Sequence, residues 1–152
     1  MAARQPAGVT DAALRLLARR AYSRHELAGR LSAKGYDRAE TDEALARLVG
    51  WGYLDDRDVA RHALEDCLTR RPRGRELLRQ ELLARGISDA IVQEVLSSYT
   101  RSIEETLAQK ALARLGLPWP LKPEDRGRAW RALVRLGFAE PTIERICGVS
   151  DP

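Results

Sequence analysis

The 152-residue chain has two cysteines, one methionine and one phenylalanine, and aromatic residues make up only 5% of it. Cys67 and Cys147 lie far apart and match neither a metal-binding spacing nor a disulfide framework, so both are expected as buried thiols of a reducing compartment. β-Branched residues are also scarce, with 7 Val, 5 Ile and 6 Thr against 22 Leu and 22 Ala. Straight-chain residues lose little rotamer freedom in a helix and β-branched ones lose more, which excludes a β-sandwich or barrel. No run of about 18 apolar residues exists to cross a membrane. The opening Met1-Ala2-Ala3-Arg4-Gln5-Pro6 leads into a charged amphipathic segment and not into the apolar core of a signal peptide. A glycine-rich phosphate loop ending in Lys-Ser or Lys-Thr is missing. His25 and His62 are isolated from each other and from the cysteines, so no metal-ligand set forms. No carboxylate pair stands apart as an acid–base couple. The expectation is a cytoplasmic, monomeric binding protein without catalytic residues, cofactor or metal.

Lysine is rare too: 3 Lys stand against 23 Arg in a chain of net charge +4. The planar fork of Arg suits phosphate and carboxylate, which makes nucleic acid or an acidic protein surface natural partners. A solvated helix surface explains the same composition, and so small a net charge decides between neither.

A repeat organises the chain. Gly35, Gly86 and Gly137 are spaced by 51 residues, as are Leu31, Leu82 and Leu133. The same interval relates Tyr36, Ile87 and Phe138; Arg24, Arg75 and Arg126; Leu27, Leu78 and Ala129; and Ala44, Val95 and Ile146. Six registers at one offset mark three copies of one unit.

Each unit reads as three helices. In the first, Thr10 is expected to cap a helix to about Arg20, and Ser23-Arg24-His25-Glu26 is a capping box for a second helix. Gly35 supplies the left-handed turn that ends it. Asp37-Arg38-Ala39-Glu40 is a second box, for a helix that stops at Gly50-Trp51-Gly52. The second unit begins near Asp55 or Asp56, breaks at Pro72 and Gly74, and uses Ser88 to cap its last helix, with Val92, Val95, Leu96 and Tyr99 buried. The third is expected to open on a box from Ser102 to Glu105. After it comes an extended connector through Pro118, Pro120 and Pro123, anchored by Trp119 and Leu121. Two further helices run from Asp125 to Leu136 and from about Glu140 to Cys147, and the tail Ser150-Asp151-Pro152 is expected to fray. The predicted fold is therefore all-α, with three tandem three-helix repeats over 10–52, 53–100 and 101–148. Units of this size bury too little surface to stand alone, so the copies should stack on a shared core in an elongated, curved array.

The basic residues concentrate on the middle helix of each unit and the loop before it. Arg24, Arg30 and Lys34 mark the first unit; Arg70, Arg71, Arg73, Arg75, Arg79 and Arg85 the second; Arg126, Arg128, Arg131 and Arg135 the third. Stacking would join them into one stripe able to follow a phosphate backbone or an acidic groove; the competing reading is a solvated face with local salt bridges. Arg24, Arg75 and Arg126 each open a helix, where a cation is disfavoured by about 0.3–1 kcal/mol. Three repeats of that cost point to a bound anion, a carboxylate or an inter-repeat salt bridge. Trp51, Trp119, Trp130 and the tyrosines could stack on bases, but packing at unit junctions is the expected role.

The run from Leu17 through Tyr22-Ser23-Arg24-His25-Glu26-Leu27, then Lys34-Gly35-Tyr36, then Gly52-Tyr53-Leu54-Asp55-Asp56-Arg57, resembles the RecX regulatory family. The likeness continues through Gly74-Arg75 and Glu81-Leu82-Leu83-Ala84-Arg85-Gly86-Ile87, and more weakly through Arg135-Leu136-Gly137-Phe138 with Ile143. The chain departs from the family pattern at Val59-Ala60, where an aromatic-Ala pair is usual, and at Leu136, where an Arg often stands. The resemblance implies three tandem three-helix repeats and a non-enzymatic modulator of the RecA recombinase, bound along the groove of the RecA–DNA filament with its basic stripe facing it. Such proteins limit filament extension and damp ATPase, strand-exchange and coprotease activities in DNA repair and the SOS response. The competing reading is a stand-alone helix-turn-helix DNA-binding module, against which the third helix from Ser88 to Tyr99 carries almost no basic side chain.

Overall fold

The structure, a computed structural model, describes residues 8–148; Met1 to Pro6 and the tail at Ser150 to Pro152 lie outside the described residues. Leucine and alanine stripes at helical spacing form nine α-helices there, and no strand: α1 (Val9–Arg19), α2 (Arg24–Ala33), α3 (Arg38–Gly50), α4 (Asp56–Thr69), α5 (Arg75–Ala84), α6 (Asp89–Leu96), α7 (Arg101–Arg114), α8 (Arg126–Arg135) and α9 (Glu140–Cys147). Helices pack in successive threes: α1, α2 and α3 touch one another, as do α4, α5 and α6, and α7, α8 and α9.

Local capping explains most boundaries. Ser23 Oγ accepts from the Glu26 N–H at 3.1 Å while the Ser23 N–H donates to Glu26 Oε1 at 3.2 Å, so the first predicted box is formed. Ser88 Oγ accepts from the Ile91 N–H, and Asp55 accepts from the Arg57 N–H at 2.9 Å. Three expectations shift. Helix α1 begins at Val9 with Gly8 in the cap position, so Thr10 lies inside its first turn. Asp37 stands at the cap of α3 but makes no side-chain hydrogen bond there. The box from Ser102 to Glu105 does not form, because Thr100 Oγ1 takes the Ile103 N–H and starts α7 two residues earlier, at Arg101.

The core is divided. Ala12, Ala13, Tyr22, Leu27, Leu31, Leu45, Leu48 and Leu54 make one cluster within the first three helices. A second runs without interruption from Val59 to Cys147, with Leu78, Leu82, Leu96, Leu112, Leu133 and Ile143 at its centre. The single shared core expected from the repeat thus joins only the last six helices. Val59 and Ala60 are buried in it and Leu136 packs against it, so both departures from the family pattern are accommodated by packing.

The aromatic expectations separate. Tyr22 and Tyr99 are buried and Trp130 packs against the larger core, but Trp51, Tyr53 and Trp119 are 58%, 62% and 54% exposed. Neither Trp51 nor Tyr53 is a packed hinge residue, and of the two expected connector anchors only Leu121 packs against the core.

Candidate interaction surface

The middle helices of the three sets follow one another end to start, through one contact made twice. Ser23, at the cap of α2, donates its hydroxyl to the carbonyl of Arg85, at the end of α5. Gly74, at the cap of α5, donates its N–H to the carbonyl of Leu136, at the end of α8, at 2.7 Å. Both pairs are 62 residues apart, so each is the other moved along by one repeat. The approach is tight: a Cβ on Gly86 would lie 2.3 Å from the His25 side chain, and one on Gly137 would lie 2.4 Å from Leu77. Both glycines have positive φ, +78° and +76°, so the residue that ends the helix also admits its neighbour.

The cations opening these helices are resolved by the same junctions. The Arg24 N–H donates to Asp56 Oδ1 at 2.8 Å, and the Arg75 N–H donates to Glu104 Oε1 at 3.2 Å. In each case a carboxylate from the first helix of the following set closes the positive end of a middle helix. The expected carboxylate is present, but it binds the backbone N–H and not the guanidinium. Glu104 is buried, and its other oxygen accepts from Thr142 Oγ1 at 2.8 Å. It shares a core-facing register with Leu107, Ala108 and Ala111, and a carboxylate in an otherwise apolar stripe was the signal that could have found it. The Arg126 guanidinium lies beside Gly148 at the C-terminal end of α9, where the exposed carbonyls of a helix favour a cation.

The other basic residues divide between internal joints and open surface. Arg73 is only 7% exposed: its Nε donates to Glu81 at 2.8 Å, its Nη1 donates to the Arg71 carbonyl, and Asp66 lies beyond at 3.6 Å. Its own carbonyl accepts from the Tyr99 hydroxyl and the Cys67 thiol, so this loop is locked into the core. Arg85 donates to Glu26 Oε1 at 2.7 Å and to the Ala21 carbonyl, tying the second set to the first. Arg71 is exposed but bound to Asp66, Arg79 is half-buried against Glu76, Arg75 is half-buried, and the Arg70 carbonyl accepts from Arg114. Arg24, Arg30, Lys34, Arg126, Arg128, Arg131 and Arg135 are exposed. These positions lie on open surface, while Arg73 and Arg85 turn inward.

Electrostatics follow the same division. Burial works to raise the Glu26 carboxyl, but hydrogen bonds from Arg85 and the Ser23 N–H, with Arg20 beyond, outweigh it and hold Glu26 below its ordinary range. Burial pushes the Cys67 and Cys147 thiols and the Tyr99 phenol up, so all three stay protonated and unreactive at neutral pH. Among the described residues no group of three or more His, Cys, Asp or Glu is placed to hold a metal ion, and no helix is long and apolar enough to cross a membrane. A cleft of about 400 Å³ between α1 and α4 is lined by Leu14, Leu17, Tyr22, Tyr53 and Val59 together with Asp55 and Asp58.

Comparison with known proteins agrees with this architecture. The family model described as RecX, first three-helix domain, matches residues 11–48, and that described as RecX, second three-helix domain, matches residues 55–96. The regulatory protein RecX of Thermus thermophilus is 44% identical over 126 residues, 83% of this chain and 80% of the relative. That of Halorhodospira halophila is 34% identical over 146 residues, 94% of this chain and 88% of the relative, a span that must include most of the last three helices. The crystal structure of RecX from Lactobacillus salivarius superposes with a TM-score of 0.75 at 21% identity, over 92% of each chain, and shows the same fold. Sequence, family models and architecture converge: the chain belongs to the RecX family of regulatory proteins.

Proposed function

We propose that this protein regulates the RecA recombinase by binding laterally along the RecA–DNA filament, limiting its extension and damping its ATPase, strand-exchange and coprotease activities in DNA repair and the SOS response. It acts as a cytoplasmic monomer of three units, over 10–52, 53–100 and 101–148, and by binding alone, without catalysis or cofactor. What supports the reading, beside family membership, is the repeated end-to-start contact of the middle helices, on and beside which Arg30, Lys34, Arg128, Arg131 and Arg135 are exposed and Arg79 is half-buried. Exposed cations spread along joined helices suit an extended anionic groove better than a compact ligand. A helix-turn-helix reader is disfavoured because α6 carries no basic side chain to place against base edges.

The test is the single-stranded-DNA-dependent ATPase rate of the cognate RecA, with this protein titrated from well below one per RecA monomer. The rate should fall at those low ratios, since each bound copy blocks a growing filament. No change at any ratio, with the protein folded by circular dichroism, overturns the reading.

A further inference from the structure

Among the exposed cations of that surface, the feature that stands apart is the outer face of α8. Arg128, Arg131 and Arg135 lie on the side of that helix opposite the buried Ala129 and Leu133, and all three are exposed. They span about 10 Å along the axis. Most other arginines near the unit junctions are consumed by the protein itself: Arg73 by Glu81 and Asp66, Arg85 by Glu26, Arg71 by Asp66. On α8 the balance is reversed. Among the described residues Arg131 and Arg135 join no ion pair, and Arg128 has only Asp125, at 3.9 Å.

The repeat shows why this face is open. Arg128 stands one and two repeats beyond Leu77 and Glu26, and both of those are spent on docking the following set, Leu77 against Gly137 and Glu26 on Arg85. Among the described residues no further set covers α8. A face that needed only solubility would carry mixed charge, because like charges at these spacings repel along a helix. The chain places three guanidiniums there instead, with Lys122 and the exposed Trp119 on the segment leading into the helix.

We infer that the outer face of α8 is a direct contact for the phosphate backbone of nucleic acid, made without base-specific readout and independent of the recombinase. Unpaired guanidinium forks match phosphate oxygens as well as carboxylates, and phosphate is favoured here because the exposed Trp119 indole, on the segment leading into α8, offers a stacking plane for an unpaired base. The inference rests on the proposed regulatory reading only for its setting, since it assigns the nucleic-acid side of the filament contact to the last unit.

The experiment uses the full chain and a short fluorescein-labelled oligothymidylate, followed by anisotropy across a salt titration with no RecA present. The wild type should bind, and the variant Arg128→Gln/Arg131→Gln/Arg135→Gln should lose about tenfold or more at low salt. Its slope of log affinity against log salt should be shallower by about 2, for three lost phosphate contacts on a single strand. A variant of equal charge change on other exposed, ion-paired arginines, Arg38→Gln/Arg47→Gln/Arg61→Gln, should retain the wild-type slope. Equal losses in both triples, or no binding by the wild type, overturn the inference. So does a folded α8 triple that keeps oligothymidylate binding but loses filament binding, which would assign the face to protein. Inhibition of the RecA ATPase is read separately, and its persistence beside absent oligothymidylate binding would remove this inference while leaving the regulatory reading in place.

Discussion

Glu26 gathers donors from three directions onto two oxygens. Oε1 accepts from the Ser23 N–H and from Arg85, and Oε2 accepts from Arg20 at 3.2 Å. One carboxylate therefore closes a helix cap and joins two sets of helices. Because its folded pKa is depressed, its contribution is fully present above the unfolded value near 4.5 and is lost as pH falls through the lower folded value. Glu26→Gln should cost about 1 kcal/mol at neutral pH, and the difference from wild type should shrink in acid. Urea unfolding at both ends of that range checks this; parallel acid limbs would count against the assignment. Arg73 makes the companion case. Arg73→Ala should cost about 2 kcal/mol, since it strands Glu81 and loosens the loop that Tyr99 and Cys67 hold, whereas Arg30→Ala on open surface should stay within about 0.5 kcal/mol.

At the scale of the element, the glycines ending α2, α5 and α8 do two jobs that substitution can separate. Gly35, Gly86 and Gly137 all have positive φ, yet a Cβ on Gly35 would meet nothing within 4 Å while one on Gly137 would strike the backbone of α5. Gly35→Ala should therefore carry only the cost of a left-handed alanine, about 1–2 kcal/mol. Gly137→Ala should cost distinctly more, because the junction must also separate. Equal costs by denaturant unfolding would mean that the close approach of the sets contributes nothing. Capping was legible for Ser23 and Ser88, where the side chain sits beside the N–H groups it satisfies. It misled at Ser102, because Thr100 reaches the same turn first and only the start of α7 decides which hydroxyl is used.

Over the whole molecule, the two cores predict uneven stability. The first three helices bury their own cluster and meet the rest largely through Arg85, Ser23 and Asp56, whereas the last six share one apolar interior. Polar joints exchange with water at little net cost, and apolar continuity does not. Leu31→Ala, at about 3 kcal/mol, should accelerate amide exchange in α1, α2 and α3 and leave α7 to α9 protected, while Leu82→Ala should lower protection throughout the last six helices. A uniform loss on Leu31→Ala would show a single cooperative unit.

The sequence by itself determined the helical class, the three-fold repeat and nearly every helix, because leucine spacing, caps and left-handed glycines act within one or two turns of chain. It also marked the middle helices as basic. Which of those cations remain available was decided only by tertiary structure. Arg73 and Arg85 look like Arg131 and Arg135 in composition and neighbourhood, but their carboxylate partners come from eight and 59 residues away, and pairing over such distances leaves no local periodicity to read. The same reason hid the division of the core. The repeat predicts equal junctions, and it took the packing of Glu26 on Arg85 at one and Leu77 on Gly137 at the other to make the first polar and the second apolar.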